Sequence, residues 1–461
     1  MEGSERRPAP AQRRHLAGGA ALSVIADIGP LVAAGVLSIV LGRVIGPSGN
    51  GEFALLITLA SFTVLVFSLG LSTGLTYEVS RGWSARRAFV ESYWLALALG
   101  VVGAAAGFGF YWLTRHSVFD SVETSLAAVV LAIVPALMAT QFASAILLGR
   151  DRYEGYVTLA LTTSAGLLFG AAGLALAFEL PGAVAGFAGS SVITAAVGAI
   201  LLRRSKGASL LPDAGRLPEA FRFGLLAWGG NLLQQVNYRF DLLILGAYAG
   251  ASEVGVYSVA LTLTGVAWVL PHGLQMVIFP RTANLDAAAS SGEVTPEESD
   301  AAVARGIRHS VLLLAPAGLF VAVLLVLVPL VYGSSFDQTV GLGFVLLPGV
   351  LALGVGKVLG SVVAGRGAPR YNLYAAAIVA AITLVLYFTL IPAYDEWGAA
   401  AASSISYLAT AVISAAFFRK VLDMPLRTAL IPTTADLRNY PEALDALRAH
   451  LRSRRVRRRA V

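Results

Sequence analysis

A run of polar side chains interrupts an otherwise apolar segment over residues 222–247. Its members recur at three- and four-residue steps, which places them on one face of an α-helix: Asn231, Gln234, Gln235, Tyr238 and Asp241. Arg239 lies at the edge of this face, and leucine, valine and phenylalanine side chains occupy the opposite face. Amide and phenol groups can hydrogen-bond a polar ligand, so we predict that this face lines a binding site.

Two cations inside apolar segments extend the predicted site. Arg239 lies in the segment just described, and Lys357 lies in a second one, about nine residues or ~13 Å from its end. A guanidinium matches the bidentate geometry of phosphate, and a lysine ammonium acts as a compact point charge. Together the two cations predict an anionic ligand, and phosphate is an anion that both could bind.

The acidic residues in these segments leave two interpretations open. Asp27 matches the position of Asn231 in the internal repeat described below. It either pairs with a cation while the site is empty or binds a coupling proton or sodium ion. In the alternative interpretation, Arg239 forms a fixed buried pair with Asp27 or Asp241, and the amide side chains only join helices.

The composition identifies the elements that must position these side chains. The chain has 461 residues, of which 57% are hydrophobic and 13% are charged, whereas soluble domains carry about 25% charged residues. A spanning helix needs about 20 apolar residues. Twelve segments approach or exceed that length: 17–41, 53–74, 89–113, 123–148, 156–178, 182–202, 222–247, 254–279, 309–332, 340–364, 371–393 and 397–417. The sequence therefore predicts an all-α, polytopic membrane protein.

Basic residues predict the orientation of these spans. Of the 34 Lys and Arg residues, 30 lie in the two tails and in the loops of one face, and only Arg43 and Arg115 lie in the loops of the other. Such an excess marks the cytoplasmic side. We therefore predict a multi-pass protein of the cell membrane with both termini in the cytoplasm. Glu78 and Glu91 lie near cytoplasmic span ends, where we expect them to be solvated.

An internal repeat predicts two six-helix bundles. Leu41-Gly42-x3-Gly46-x-Ser48-x2-Gly51-x-Phe53 recurs 204 residues later as Leu245-Gly246-x3-Gly250-x-Ser252-x2-Gly255-x-Tyr257. A weaker echo pairs Gly149-Arg150 with Gly365-Arg366. Six spans separate the copies, so the repeat is parallel. The predicted units are a cytoplasmic tail (1–16), an N-terminal half (17–202), a linker (203–221), a C-terminal half (222–417) and a basic tail (418–461).

The chain resembles the Wzx-type polysaccharide and lipid-linked oligosaccharide flippases. These belong to the MOP superfamily, which also holds the MATE exporters and the lipid II flippases. The resemblance rests on the first copy of the repeat, from Leu41 to Phe53, on Arg239-x-Asp241, and on Gly255-Val256-Tyr257. It implies a transporter that flips a polyprenyl-linked oligosaccharide between leaflets by alternating access, with glycan-assembly enzymes as further partners.

Other functions are less well supported by the residues. The chain has no cysteine, no phosphate-binding loop and no histidine pair at metal-ligand spacing, so we expect no cofactor beyond a coupling ion, H⁺ or Na⁺. A MATE-like exporter of small cations would need a negatively charged cleft. A membrane glycosyltransferase or polymerase would need acids on an outer loop, and Asp395-Glu396 alone fits that description. We therefore predict a transporter rather than an enzyme.

The C-terminal tail predicts a second membrane contact. Leucine and tyrosine side chains recur at helical spacing before a run of six arginines at Arg452, Arg454, Arg455, Arg457, Arg458 and Arg459. This pattern predicts an interfacial helix that binds anionic lipids, or else a solvated tail that only sets topology. Without a folded domain or interleaved aromatic residues, nucleic-acid binding is not predicted.

Overall fold

The computed structural model describes residues 10–203, 216–433 and 436, and it leaves undescribed the side chains of 10–25, 27, 226–227, 268–277 and 279–280. These residues are almost entirely helical and include no β-strand. The all-α prediction is therefore confirmed. The predicted interfacial helix of the tail and most of the predicted linker lie outside the described residues.

The N-terminal part of the chain forms seven α-helices: α1 (Pro10–Ser68), α2 (Leu71–Ser80), α3 (Ala85–Thr114), α4 (Thr124–Ala132), α5 (Val134–Gly149), α6 (Tyr153–Ala165) and α7 (Gly173–Arg203). A short π-helical segment, Gly166–Ala172, joins α6 to α7. Pro135, at the start of α5, lacks a backbone donor, and α4 ends just before it.

Within the described residues, the C-terminal part forms eight further helices: α8 (Leu217–Tyr248), α9 (Ala251–Gly265), α10 (Val269–Ser290), α11 (Pro296–Val326), α12 (Val328–Tyr332), α13 (Asp337–Gly365), α14 (Arg370–Leu422) and α15 (Leu426–Leu430). Thr295 starts α11 with a capping box, since its hydroxyl accepts from the Glu298 amide at 3.2 Å and the Glu298 carboxylate accepts from the Thr295 amide at 3.0 Å.

Sharp kinks divide three long helices into pairs of spans. The backbone leaves helical geometry at Gly46 in α1, at Phe178 and Glu179 in α7, and at Asp395 in α14. Each kink falls between two predicted spans. Seven helical stretches of the described residues are long and apolar enough to cross a membrane, and three of them contain these kinks. The prediction of a polytopic membrane protein is confirmed.

The turns and kinks between the helices lie at two opposite ends of the helix bundle. The basic face carries the turns 81–84, 150–152, 291–295 and 366–369, and the opposite face carries the kinks at Gly46, Glu179 and Asp395. On the basic face Arg216 approaches Glu78 at 3.6 Å. Glu78 and Glu91 are 7% and 3% exposed, so the expectation that both are solvated is wrong: they point into the helix packing rather than into water.

The repeated glycines of the two halves pack directly against each other at the opposite face. A Cβ added to Gly51 would collide with the carbonyl oxygen of Ala251, and one added to Gly255 would collide with that of Pro47. Ala251 lies 204 residues after Pro47, the same offset that relates the two glycines. The contact is therefore reciprocal, as expected where two equivalent surfaces meet about a two-fold axis.

Two further features recur at an offset of 216 residues. Glu179 and Asp395 share an unusual backbone conformation, with φ of 52° and 49° and ψ of −136° and −128°. Arg150 and Arg366 each contact the segment between the second and third predicted spans of their own half. Arg150 Nη2 donates to the carbonyl of Trp83 at 2.9 Å, whereas Arg366 contacts two carboxylates on α10 and α11. These correspondences support the predicted duplication.

An ion pair fastens the start of the C-terminal tail to α11. Arg308 Nε and Nη2 donate to the two carboxylate oxygens of Asp436 at 2.6 and 3.2 Å, and Arg308 Nη1 donates to the carbonyl of Thr428 at 2.8 Å. Asp436 also accepts from the amide of Thr433 at 2.8 Å. These hydrogen bonds, led by those from Arg308, hold the pKa of the Asp436 carboxyl well below its usual range.

The glycine contact between the halves predicts a stability cost for the smallest side chain. Gly51→Ala and Gly255→Ala should each destabilise the protein by about 1–3 kcal/mol, because the added methyl group meets backbone that cannot move aside. Thermal unfolding in detergent, followed by tryptophan fluorescence, measures this effect. Gly109→Ala on α3 is the matched control, since its Cβ meets no atom within 4 Å; an equal loss there would contradict the assignment.

Candidate functional site

A cavity of about 500 Å³ lies between α8, α13 and α14. Its wall mixes small and apolar residues with eight polar side chains: Gln234, Asn237, Tyr238, Lys357, Ser361, Asn372, Thr410 and Ser414. Of the described residues that line it, only Lys357 is charged. Glycine and alanine at Gly356, Gly360, Ala375 and Ala376 keep the wall open at these positions. The cavity is therefore positively charged and rich in hydrogen-bonding groups.

Lys357 is held at membrane depth by an aromatic neighbour. It lies on α13, eight residues before Gly365, which is about 12 Å along the helix. Its ammonium lies 5.0 Å from the centre of the Tyr238 ring on α8, within the range of a cation–π interaction. Gln234 lies one turn from Tyr238 on the same helix. The structure thus brings together three of the residues that the sequence predicts: Gln234, Tyr238 and Lys357.

Three other predicted residues form a stripe beside the cavity. Asn231, Gln235 and Arg239 follow one another at four-residue steps on α8, and they are exposed or half-buried. They are not among the residues that line the cavity. Polar and charged side chains face hydrocarbon only at a large penalty, so we expect this stripe to face protein or water rather than lipid. Along α8, Arg239 directly follows Tyr238, the residue whose ring lies beside the Lys357 ammonium.

Asp241 lies in a separate, buried network. Its side chain is fully buried and accepts from the Tyr257 hydroxyl at 2.5 Å, the Leu242 amide at 2.9 Å and the Ser403 hydroxyl at 3.1 Å. These donors belong to α8, α9 and α14. The network therefore joins three helices, and Asp241 does not line the cavity. Its predicted role in substrate binding stays a prediction, and its contacts are those of a structural anchor.

The network continues to the cavity wall. Tyr387 shares a hydrogen bond with Ser403 at 3.0 Å and donates to the carbonyl of Asn237 at 3.1 Å. Thr383 donates to the Asn237 side chain at 2.8 Å, and Asn237 itself lines the cavity. The wall is thus fixed from behind by buried hydroxyl groups. This arrangement pre-organises α8 against α14.

Sequence reasoning missed Asn237, Tyr257 and Ser403. One signal was present, because the second copy of the repeat has Tyr257 where the first has Phe53. An added hydroxyl in an otherwise apolar motif indicates a hydrogen-bond partner at the same depth. Asp27, the remaining predicted site residue, has a side chain outside the described residues, so its pairing stays a prediction.

Known proteins resemble this chain in both sequence and structure. A family model for polysaccharide biosynthesis proteins matches residues 40–341. The probable low-salt glycan biosynthesis flippase Agl15 of Haloferax volcanii is 24% identical over 178 residues, which cover 38% of this chain and 36% of that protein. The match thus spans about a third of this curated relative's length.

Solved transporters share the fold at low sequence identity. An inward-facing MATE multidrug transporter has a TM-score of 0.68 and 16% identity, covering 87% of this chain and 98% of its own. The lipid II flippase MurJ, in an inward closed conformation, has a TM-score of 0.65 and 14% identity, covering 88% of each chain. At this level of identity, the similarity establishes the transporter fold.

The buried network predicts that stability, rather than binding, depends on Tyr257. Tyr257→Phe should cost about 1–3 kcal/mol, because Asp241 and Ser403 lose a buried hydrogen-bond donor or partner. Thermal unfolding of the detergent-solubilised protein measures the loss. Tyr248→Phe provides the control, since Tyr248 is 56% exposed. An unchanged unfolding temperature for Tyr257→Phe would show that the network does not hold the helices together.

Proposed function

The chain belongs to the polysaccharide biosynthesis protein family, a family of flippase-type membrane transporters in the MOP superfamily, and we propose that it flips a lipid-linked oligosaccharide. The proposed substrate is a polyprenyl-(pyro)phosphate-linked oligosaccharide, moved from the cytoplasmic to the outer leaflet of the cell membrane. The product would enter cell-surface polysaccharide or glycoprotein assembly, with glycan-assembly enzymes as partners.

One observation carries the choice of substrate class. Among its described lining residues, the cavity has a single charge, that of Lys357, surrounded by amide and hydroxyl groups. A phosphate group would be attracted by this charge, and sugar hydroxyls would find both donors and acceptors in Gln234 and Asn372. A purely apolar drug would leave these polar groups without partners, which costs binding free energy.

The proposed binding mode uses both parts of the site. Lys357 would attract the phosphate from within the cavity, and Arg239 would bind it from the adjacent stripe, with Asn231 and Gln235 available to sugar hydroxyls. The polyprenyl chain would stay in lipid between the halves. Asp27 would pair with a cation in the empty state or take up the coupling ion, H⁺ or Na⁺. No cofactor enters this proposal.

The packing between the halves supports a rocking mechanism. At the opposite face the reciprocal contact of Gly51 and Gly255 closes the molecule. At the basic face the rings of Tyr77 on α2 and Phe223 on α8 stack with centroids 4.0 Å apart. The described residues that line the cavity all belong to the C-terminal half, and rocking of the N-terminal half against it about these contacts would uncover the cavity toward each leaflet in turn. With both termini in the cytoplasm, as the basic residues predict, the basic face would be the entry side.

A MATE-like exporter of small cations is the second candidate, and the fold alone would accommodate it. The charge of the site argues against it, since no Asp or Glu is among the described residues that line the cavity. A cationic substrate would be repelled by Lys357 unless an acid outside these residues compensated. The phosphate-bearing substrate therefore remains the proposal.

The proposal predicts that transport depends on the two cations. Lys357→Ala and Arg239→Ala should each reduce flipping by about tenfold or more, because a charge-assisted hydrogen bond to phosphate is lost. The measurement is the accessibility of a lipid-linked oligosaccharide in proteoliposomes, probed by an added lectin or glycosidase. Lys357→Arg should retain part of the activity, since it keeps the positive charge.

The matched control is Arg305→Ala, which removes an exposed arginine from α11 without touching the cavity. Each variant is also tested for an unchanged thermal transition, so that lost folding is not read as lost transport. Full activity of both Lys357→Ala and Arg239→Ala in folded protein would refute the site assignment.

The enzyme alternative makes the contrasting prediction at the opposite face. Asp395→Asn combined with Glu396→Gln should leave flipping unchanged, because these acids lie at a helix kink rather than in the cavity. Asparagine tolerates the positive φ of 49° at position 395, so the backbone is spared. The same proteoliposome assay decides the matter: loss of activity in this folded double variant would favour an essential acid on the outer side.

A further inference from the structure

A second pocket, lined by fewer residues than the substrate cavity and separate from it, lies at the basic-face end of α14. It encloses about 680 Å³ and is lined by Ala416, Arg419, Lys420, Asp423, Met424, Pro425, Leu426 and Arg427. Three cations face one carboxylate across it, so its charge is positive. The three basic side chains belong to exposed residues. The pocket therefore offers an accessible, cationic site with an apolar floor.

The chain geometry holds this pocket open. Asp423 ends α14 in the left-handed conformation, with φ of 48°, and turns the chain into α15. Ala429 of α15 is fully buried, and the carbonyl of Thr428 accepts from Arg308 of α11 at 2.8 Å. Because α15 is fixed to α11, Arg427 is held across from the end of α14. All three cations therefore line one pocket.

An apolar stripe leads into the pocket along α14. Ile405, Leu408 and Val412 are 45%, 43% and 68% exposed, and they follow one another at three- and four-residue steps. Ala416, exposed and part of the pocket wall, continues the same stripe by one further turn. Arg419 and Lys420 follow at the next three- and four-residue positions. One face of α14 thus presents a row of exposed apolar side chains, and two basic residues follow at the end of that row.

Arg370, which shares the Tyr371 ring with Lys420, adds to the positive charge. The Lys420 ammonium lies 5.4 Å from the Tyr371 ring centre, and the Arg370 guanidinium lies 5.3 Å from it. The beginning and end of α14 therefore bring a fourth cation close to the pocket. The opposite face of the same helix contributes Thr410 and Ser414 to the substrate cavity, so the two sites lie on different sides of α14.

We propose that this pocket binds an anionic phospholipid of the leaflet at the basic face. The phosphate lies among Arg419, Lys420 and Arg427, and an acyl chain lies along Ile405, Leu408 and Val412. The combination of a cationic pocket with an adjoining lipid-facing stripe matches a ligand with an anionic head and an apolar tail. A free phosphate ion would use the cations and leave the stripe without a role.

Native mass spectrometry of the full chain tests the proposal. The detergent-solubilised protein is titrated with phosphatidylglycerol, with phosphatidylcholine and with glycerol 3-phosphate. The pocket variant combines Arg419→Gln, Lys420→Gln and Arg427→Gln. We expect the unaltered protein to retain phosphatidylglycerol in preference to phosphatidylcholine, and the pocket variant to bind it roughly 100-fold more weakly, at roughly fivefold for each basic side chain.

Two controls separate the pocket from general surface charge. Arg203→Gln combined with Arg222→Gln and Arg305→Gln removes three exposed charges from elsewhere on the chain and should leave binding unchanged. Ala416→Phe fills the pocket wall, keeps every charge and should weaken phosphatidylglycerol binding, which also covers the case of a pocket variant that does not fold. Equal losses in both triple variants, unchanged binding in Ala416→Phe, or displacement of the lipid by equimolar glycerol 3-phosphate would each overturn the proposal.

Discussion

Polar groups at bilayer depth must be paired with protein or reached by water, and this constraint organises the C-terminal half of the molecule. On α8 it separates three kinds of surface within the eleven residues from Asn231 to Asp241. Asp241 is fully buried and hydrogen-bonded to α9 and α14. Gln234 and Tyr238 face a cavity that also holds Lys357. Asn231 and Arg239 are exposed beside it. A single amphipathic helix thereby carries a structural anchor and a candidate binding surface.

The anchor and the surface depend on each other. Tyr387 and Thr383 fix Asn237 from behind the cavity wall, while Tyr257 and Ser403 fix Asp241 one turn further on. Hydrogen bonds in such a network hold α8 and α14 at a set distance, and the space left between them and α13 is the cavity. A hydrophobic core of the same volume would pack these helices together and leave no room for a ligand.

Much of the fold follows from the sequence because the bilayer makes helix length and polarity decisive. The all-α, polytopic architecture and the repeated glycine turn were predictable in this way, whereas the merging of neighbouring spans into kinked helices was not. The grouping of Gln234 and Tyr238 with Lys357 was predicted in part, since periodicity gives the angle of a side chain around its helix. Periodicity does not predict which neighbouring helix packs against that face. Asp241 shares a face with Gln234, yet Tyr257 and Ser403 come from helices whose approach only the tertiary structure defines.

The offset between the two copies of the repeat is 204 residues at the glycine motif and 216 residues at Arg150 and Arg366. The additional residues lie between these two positions in the second copy. Helix α10 ends at Ser290, past the position that matches the end of α2, its counterpart in the first half. Helix α11 begins at Pro296, before the position that matches the start of its counterpart α3. These unmatched ends supply both acids that Arg366 contacts, Asp286 at 3.1 Å and Asp300 at 2.5 Å. Arg150 keeps the equivalent position with only a carbonyl acceptor. The arginine thus occupies an equivalent position in the two halves, and its carboxylate partners distinguish the second copy from the first.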